Sequence, residues 1–169
     1  PSASGIATSR TAAHATALDD PTVITEPFSD WVLAGAFPAG RPDWESAGAR
    51  FVDDIEPWEN RKLWLLNGAH SLLTFAGMPR GLHTVAEAIA DPECRALVES
   101  FWEGAVARLP AGTGHVRYRR QLIERFENPR IVHRLAQIAA EATTKVEFRF
   151  AAVAERSIAE SRDASASAR

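Results

Sequence analysis

The sequence predicts a mainly α-helical domain with short β-strands near its start. Apolar residues recur at helical spacing in every stretch after Pro57, whereas β-branched runs lie before it. Helix-start signals are frequent in the second half, as in Asp91-Pro92 and Asn128-Pro129. The chain has 169 residues, of which 46% are hydrophobic and 24% charged. That length and composition suffice for one domain with a real core.

The first part of the chain is expected to be irregular, with two short strands. Residues 1–20 are rich in Ala, Ser and Thr and predict disorder. Thr22–Thr25 predicts a strand that ends at Pro27, and Trp31–Leu33 predicts a second one. Residues 37–42 contain two prolines and a glycine, which is typical of a loop.

Six helices are expected after this loop, each bounded by local signals. Gly77 and Pro79 end the first helix, and Thr84 with Glu87 has the spacing of a capping box. Asp91-Pro92 and Asn128-Pro129 each predict an N-cap followed by proline at the first helical position. The expected helices cover residues 58–76, a short stretch from 84, 92–109, 116–126, 129–140 and 143–160, before a loose tail at 161–169.

Charge and composition argue against several classes of function. A net charge of −3 gives no reason to expect nucleic acid or an anionic membrane as partner, and no apolar run is long enough to span a bilayer. The arginines between residues 117 and 134 are interpreted as a solvated face, because Glu124 and Glu127 lie among them. Cys94 is expected in the core; as the single cysteine it excludes an internal disulfide, which fits the cytoplasm. No histidine or cysteine spacing predicts a metal site.

The stretch from Lys62 to Ser71 carries the candidate chemistry. With about 100° per residue, Lys62 falls on an apolar face, with His70 about 80° and Asn67 about 140° away. A buried lysine loses solvation, and its pKa would fall from ~10.4 towards the ~7–8 that a general base needs. Asn67 could then donate to the oxygen of an alcohol under oxidation, and His70 could orient that oxygen or its neighbour.

A plainer interpretation stays open at this point. Lys62 lies near the start of its helix and could extend to solvent, while Asn67 and His70 could be hydrogen-bonded polar groups of the core. The residue pattern alone favours this interpretation over catalysis.

Further motifs give the chain a resemblance to the long-chain mannitol dehydrogenase family. Lys62 with Asn67 and His70 resembles the catalytic signature of that family, and the resemblance covers about residues 20–150. The other similar segments are Thr25-Glu-Pro-Phe28 with Trp31-Val32, Phe37-Pro-Ala-Gly-Arg-Pro42 with Trp44 and Gly48, residues 81–92, Arg125-Phe-Glu-Asn-Pro129, residues 133–138 and Lys145.

The resemblance implies an NAD- or NADP-dependent, metal-independent enzyme acting on a polyol or sugar acid. The implied pairs are D-mannonate with D-fructuronate, or D-mannitol with D-fructose. Lys62 would be the general base, Asn67 part of the hole for the developing alkoxide, and His70 a ligand of substrate hydroxyls. Lys145 would contact the far end of the substrate, beside Gln137. The sequence departs from the family at Gln137, where mannitol enzymes carry arginine, at Glu141-Ala142, which replaces Asp-Gly, and at Ala34-Gly35, which replaces an acidic pair.

The motif that would hold a dinucleotide is not found in the sequence. No Gly-x-Gly-x-x-Gly follows a predicted strand. We therefore expect residues 21–56 to be the end of a cofactor domain and a linker, and 57–160 to be a helical C-terminal substrate domain. Alone, the chain is expected to be inactive. The alternative is a non-catalytic remnant or binding module that needs a separate cofactor domain.

Overall fold

The computed structural model describes residues 28–142, 149–151, 153–155 and 158. Helices dominate these residues, and each of the two strands is two residues long. The expected mainly α fold is thus confirmed. The strand expected at 22–25, the disordered start at 1–20 and the tail at 161–169 lie outside the described residues. Residues 149–151 and 153–155, within the expected last helix, are helical.

The first described part of the chain forms two short parallel strands, and aromatic side chains pack beside them. Strand β1, Val32–Leu33, pairs with β2, Arg50–Phe51, in the register Val32 to Arg50. Between them the chain forms the expected loop and a 3₁₀ turn at Trp44–Ala47. The Trp44 and Phe51 rings are stacked at 6.2 Å, and the Arg41 guanidinium lies 3.2 Å from the centroid of the Phe51 ring.

One long helix of changing pitch runs through the centre of the domain. It starts as α1, Glu56–Arg61, continues as a π-helix at Lys62–Gly68, and ends as α2, Ala69–Gly77, followed by a 3₁₀ turn at Met78–Arg80. The sequence predicted a single helix at 58–76, so the extent is nearly correct. The π-helical stretch could not be predicted, because the spacing of apolar residues does not reveal a local departure from about 100° per residue.

Within residues 28–142, four further helices pack around this central one. They are α3, Val85–Ala90, α4, Pro92–Val106, α5, His115–Phe126, and α6, Leu135–Ala142. The capping box of Thr84 and Glu87 is present, which confirms the predicted start of α3. Asp91 caps α4 as predicted, because its Oδ1 accepts hydrogen bonds from the backbone N–H groups of Glu93 and Cys94.

The expected start of a helix at Asn128-Pro129 is wrong, since α6 begins only at Leu135, although it overlaps the expected helix over residues 135–140. The Asn128 side chain caps a turn instead, by accepting from the backbone N–H of Arg130 at 3.0 Å. Thr84 and Arg134 then form an antiparallel bridge. In that bridge the N–H of Leu135 donates to the carbonyl of His83. These tertiary bonds occupy backbone groups that a helix would have used.

The core surrounds α2, which contacts α3, α4 and α6. The indole N–H of Trp102 in α4 donates to the carbonyl of Leu65 at 2.8 Å, and so ties α4 to the π-helix. Cys94 is fully buried, which confirms its expected place in the core; burial also raises the pKa of its thiol. Among the described helices, none has the length and apolar character needed to cross a membrane.

Candidate active site

The π-helix changes how Lys62, Asn67 and His70 are placed around the central helix. Its i→i+5 hydrogen bonds widen the turn to roughly 85° per residue, compared with 100° in an α-helix. Asn67 therefore lies roughly 65° from Lys62 around the axis instead of 140°. His70, one step into α2, falls roughly in line with Lys62. The three side chains share a narrower face than a uniform α-helix would give them.

Lys62 is exposed in this structure, so its predicted burial on an apolar face is wrong. The inward position at the start of the π-helix is taken by the preceding residue, Arg61, which is 4% exposed. Among the described residues, no hydrogen bond or ion pair holds the Lys62 ammonium. The exposed Lys62 ammonium is therefore available to bind a ligand.

Asn67 lies between Lys62 and His70 in the sequence. It is half-buried, and its backbone carbonyl accepts a hydrogen bond from the Ser71 hydroxyl at 3.2 Å. Its side-chain amide makes no hydrogen bond within the described part of the chain. An amide in that state can donate to a ligand oxygen without breaking an existing bond.

His70 is an uncharged imidazole held between two other rings. Its ring centroid is 5.0 Å from that of Phe126 and 5.5 Å from that of His133. Burial, and secondarily the nearby His133, Arg125 and Arg149, lowers the pKa of His70 to about 3. The residue as a whole is half-buried, but Nε2 is shielded from solvent and has no hydrogen-bond partner among the described residues. A buried polar atom without a partner is costly unless a ligand supplies one.

Arg149, in the last helical segment, supports this face and was not predicted as a neighbour of the site. It is 8% exposed, and its Nη1 donates to the Ser71 hydroxyl at 2.5 Å. Arg149 and Val153 are four residues apart, and both are buried. That spacing could have indicated an arginine on the inner face of its helix.

The two remaining candidate residues, Gln137 and Lys145, were expected to bind the substrate. Gln137 is exposed in the first turn of α6, the helix that packs on α2. No hydrogen bond between the described residues joins its side chain to Lys62, Asn67 or His70. Lys145 lies outside the described residues. The region that the structure describes also contains no group of three His, Cys, Asp or Glu side chains that could hold a metal.

Residues 54–165 match the family model described as the mannitol dehydrogenase C-terminal domain. The chain therefore belongs to the mannitol dehydrogenase family, as the resemblance had indicated.

Individual relatives agree with this assignment. D-mannonate oxidoreductase of Escherichia coli (strain K12) is 40% identical over 131 residues, covering 75% of this chain and 27% of the relative. A substrate-free D-sorbitol dehydrogenase structure matches with a TM-score of 0.72 and 31% identity, over 77% of this chain and 28% of its own. Pseudomonas fluorescens mannitol 2-dehydrogenase, solved with NAD and D-mannitol, matches with a TM-score of 0.60 and 36% identity, over 67% and 24%. The chain thus spans about a quarter of the length of these proteins.

Proposed function

We propose that this chain is the substrate-binding and proton-transferring domain of an NAD- or NADP-dependent oxidoreductase that interconverts an alcohol and a ketone. The substrate would be a polyol or a sugar acid, either D-mannonate with D-fructuronate or D-mannitol with D-fructose. The observation that carries the proposal is the shared face of Lys62, Asn67 and His70 in a member of the mannitol dehydrogenase family.

Lys62 would exchange the proton of the reacting hydroxyl. A lysine acts as a base only in its neutral form, which desolvation favours. Because Lys62 is exposed here, we propose that the substrate and the domain that holds the nucleotide cover it together. In oxidation its amine takes the hydroxyl proton; in reduction its ammonium returns that proton to the forming alkoxide.

Asn67 and His70 would bind the oxygens of the substrate. The free amide of Asn67 would donate to the reacting oxygen as it gains or loses negative charge. His70, uncharged at neutral pH, would use its imidazole to bind a hydroxyl of the substrate next to the reacting carbon. Such a neutral imidazole binds a hydroxyl without placing another positive charge beside Lys62.

The dinucleotide, when bound, supplies the acceptor or donor of hydride at the reacting carbon. We assign no residue of this chain to hold it, since the sequence lacks the glycine-rich fingerprint. Its seat would be in a separate nicotinamide cofactor domain. Lys145 and Gln137 would contact the far end of the substrate, and the reaction would run in the cytoplasm without a metal.

A chimera tests this function. In it, the segment of E. coli D-mannonate oxidoreductase that this chain matches is replaced by the chain, and oxidation of D-mannonate is followed by dinucleotide absorbance. Lys62 and Lys145 are the two lysines of the chain. We expect Lys62→Met to lower kcat by about 10²–10⁴-fold, whereas Lys145→Met should chiefly raise KM. Turnover that survives Lys62→Met would refute the lysine base, and loss of turnover in EDTA would refute metal independence.

A further inference from the structure

Arg61 is a buried cation that adjoins the proposed base. It ends α1 and directly precedes the π-helix. A buried guanidinium is costly unless its charge and its N–H groups are matched. Here Nη1 and Nη2 have acceptors, whereas Nε has none among the described residues. Its Nη2 donates to Asp30 Oδ2 at 2.5 Å, and its Nη1 donates to the carbonyl of Thr113 at 2.7 Å.

Two aromatic rings complete the surroundings of this guanidinium. Its central carbon lies 4.7 Å from the ring centroid of Trp58 and 4.1 Å from that of Tyr118. Both distances are within the range of cation–π attraction. Burial, together with the nearby Asp30, raises the pKa of Tyr118 to about 12, so this ring stays uncharged.

These contacts come from separate parts of the fold. Asp30 lies in the segment before β1, Thr113 in the turn between α4 and α5, and Tyr118 in α5. A guanidinium is planar, and its donors have fixed directions, so bonds to two acceptors restrict its orientation as well as its position. The end of α1 is thereby held both along its axis and around it.

We infer that Arg61 is a positioning residue for Lys62, which fixes the rotation of the central helix where the π-helix begins. Neighbouring helical residues point about 100° apart, so the inward Arg61 directs Lys62 outward. The inference rests on the proposed role of Lys62 as the base. It adds that the Asp30 ion pair links the orientation of the base to the segment before β1.

Arg61→Lys and Asp30→Asn test this in the chimera, with Arg119→Lys as the matched control. Arg119 also has an ion pair, to Glu103 at 2.8 Å, and an aromatic contact, 5.4 Å over Trp102, but it lies on α5 and not next to Lys62 in the chain. Arg61→Lys keeps the charge and loses the planar fork. We expect it to lower kcat by about 10- to 100-fold with little change in KM, because a displaced base slows the chemical step.

The same displacement should change the pH profile of kcat in Arg61→Lys, and Asp30→Asn should show a smaller change in the same direction. Arg119→Lys should leave both kcat and the profile unchanged. The inference is overturned if Arg61→Lys retains the kcat and pH profile of the control while Lys62→Met is inactive. If instead Lys62→Met retains turnover, the proposed function itself fails.

Discussion

The rings of His70 and His133 meet edge-on, with their centroids 5.5 Å apart and their planes at 84°. His70 lies on the central helix, whereas His133 lies in the irregular stretch before α6. That stretch is where the sequence wrongly predicted a helix, and the bridge between Thr84 and Arg134 fixes its course. The bridge that prevents a helix from starting at Asn128-Pro129 therefore also places His133 next to His70.

The first prediction concerns acid stability. The pKa of His70 is about 3 in the folded chain and 6.5 as its ordinary value. Between these pH values the unfolded chain binds a proton that the folded chain does not, so the free energy of unfolding falls as the pH is lowered from about 6.5 to about 3. The slope is at most about 1.4 kcal/mol per pH unit, and less because His70 is partly exposed.

Urea unfolding of His70→Gln against the wild type at several pH values checks this prediction. Below pH 6.5 the free energy of unfolding of the wild type should fall steadily relative to that of His70→Gln, because only the wild type carries the lowered pKa of this histidine. His83→Gln, at an exposed histidine, is the matched control and should keep the wild-type slope. A difference for His70→Gln that is constant with pH would contradict the shifted titration.

The second prediction concerns Gly68, the last residue of the π-helix. A Cβ at this position would lie 2.7 Å from Cε1 of Phe101, whose ring packs on Phe150 with centroids 5.2 Å apart. Alanine in place of a helical glycine otherwise gains about 1 kcal/mol. Here we expect Gly68→Ala to lower the free energy of unfolding by about 1–3 kcal/mol, because the ring must move.

A double-mutant cycle with Phe101→Leu isolates this contact. In the Phe101→Leu background the same Gly68→Ala change should cost much less, or should stabilise the chain as the helix propensity favours. Equal effects of Gly68→Ala in both backgrounds would show that the close approach to Phe101 is not what requires glycine.

The helix starts that the sequence predicts correctly are those that depend on bonds between neighbouring residues. The capping box at Thr84 and the Asp91-Pro92 cap were found correctly, because each is a bond between neighbours in the chain. Asn128-Pro129 carries the same local signal, but no helix begins there. The backbone groups of the residues that follow bond instead to His83 and Val85, which are distant in sequence. Only tertiary contacts distinguish these cases.

The candidate site shows the same limit. Its residue types were recognisable from motifs, but the pitch of the helix that carries them was not. The π-helix is accompanied by the Trp102 bond to the Leu65 carbonyl and by the contact of Gly68 with Phe101, both of which come from α4. The periodicity of the segment cannot report such contacts. Lys62 was likewise expected inside, where the structure has Arg61, whose partners Asp30 and Thr113 come from distant parts of the chain.

The third prediction concerns the bond between Ser71 and Arg149. Ser71→Ala removes an acceptor 2.5 Å from a buried guanidinium nitrogen. We expect the free energy of unfolding to fall by about 1–3 kcal/mol, because the buried donor loses a partner. Ser100→Ala, at an exposed serine of α4, is the control and should change stability by less than about 0.5 kcal/mol. Equal small effects at both serines would show that the bond contributes little.

The fourth prediction concerns the choice between a sugar acid and a neutral polyol. The positive groups that lower the pKa of His70 include Arg125 and Arg149. A carboxylate near His70 would be attracted by these charges, whereas a polyol of equal length would not. In the chimera we therefore expect kcat/KM to be higher for D-mannonate than for D-mannitol, with a gap that narrows as salt screens the charges.

Arg125→Met shows whether this preference comes from the present chain or from the rest of the chimera. Arg125 lies over the Phe28 ring at 5.1 Å, and its loss should lower kcat/KM for D-mannonate about tenfold while leaving that for D-mannitol nearly unchanged. Arg130→Met, at an exposed arginine in the turn before α6, removes the same charge farther along the chain and should leave the preference intact. If both variants keep the wild-type ratio of the two substrates, the charges around His70 do not select the acid.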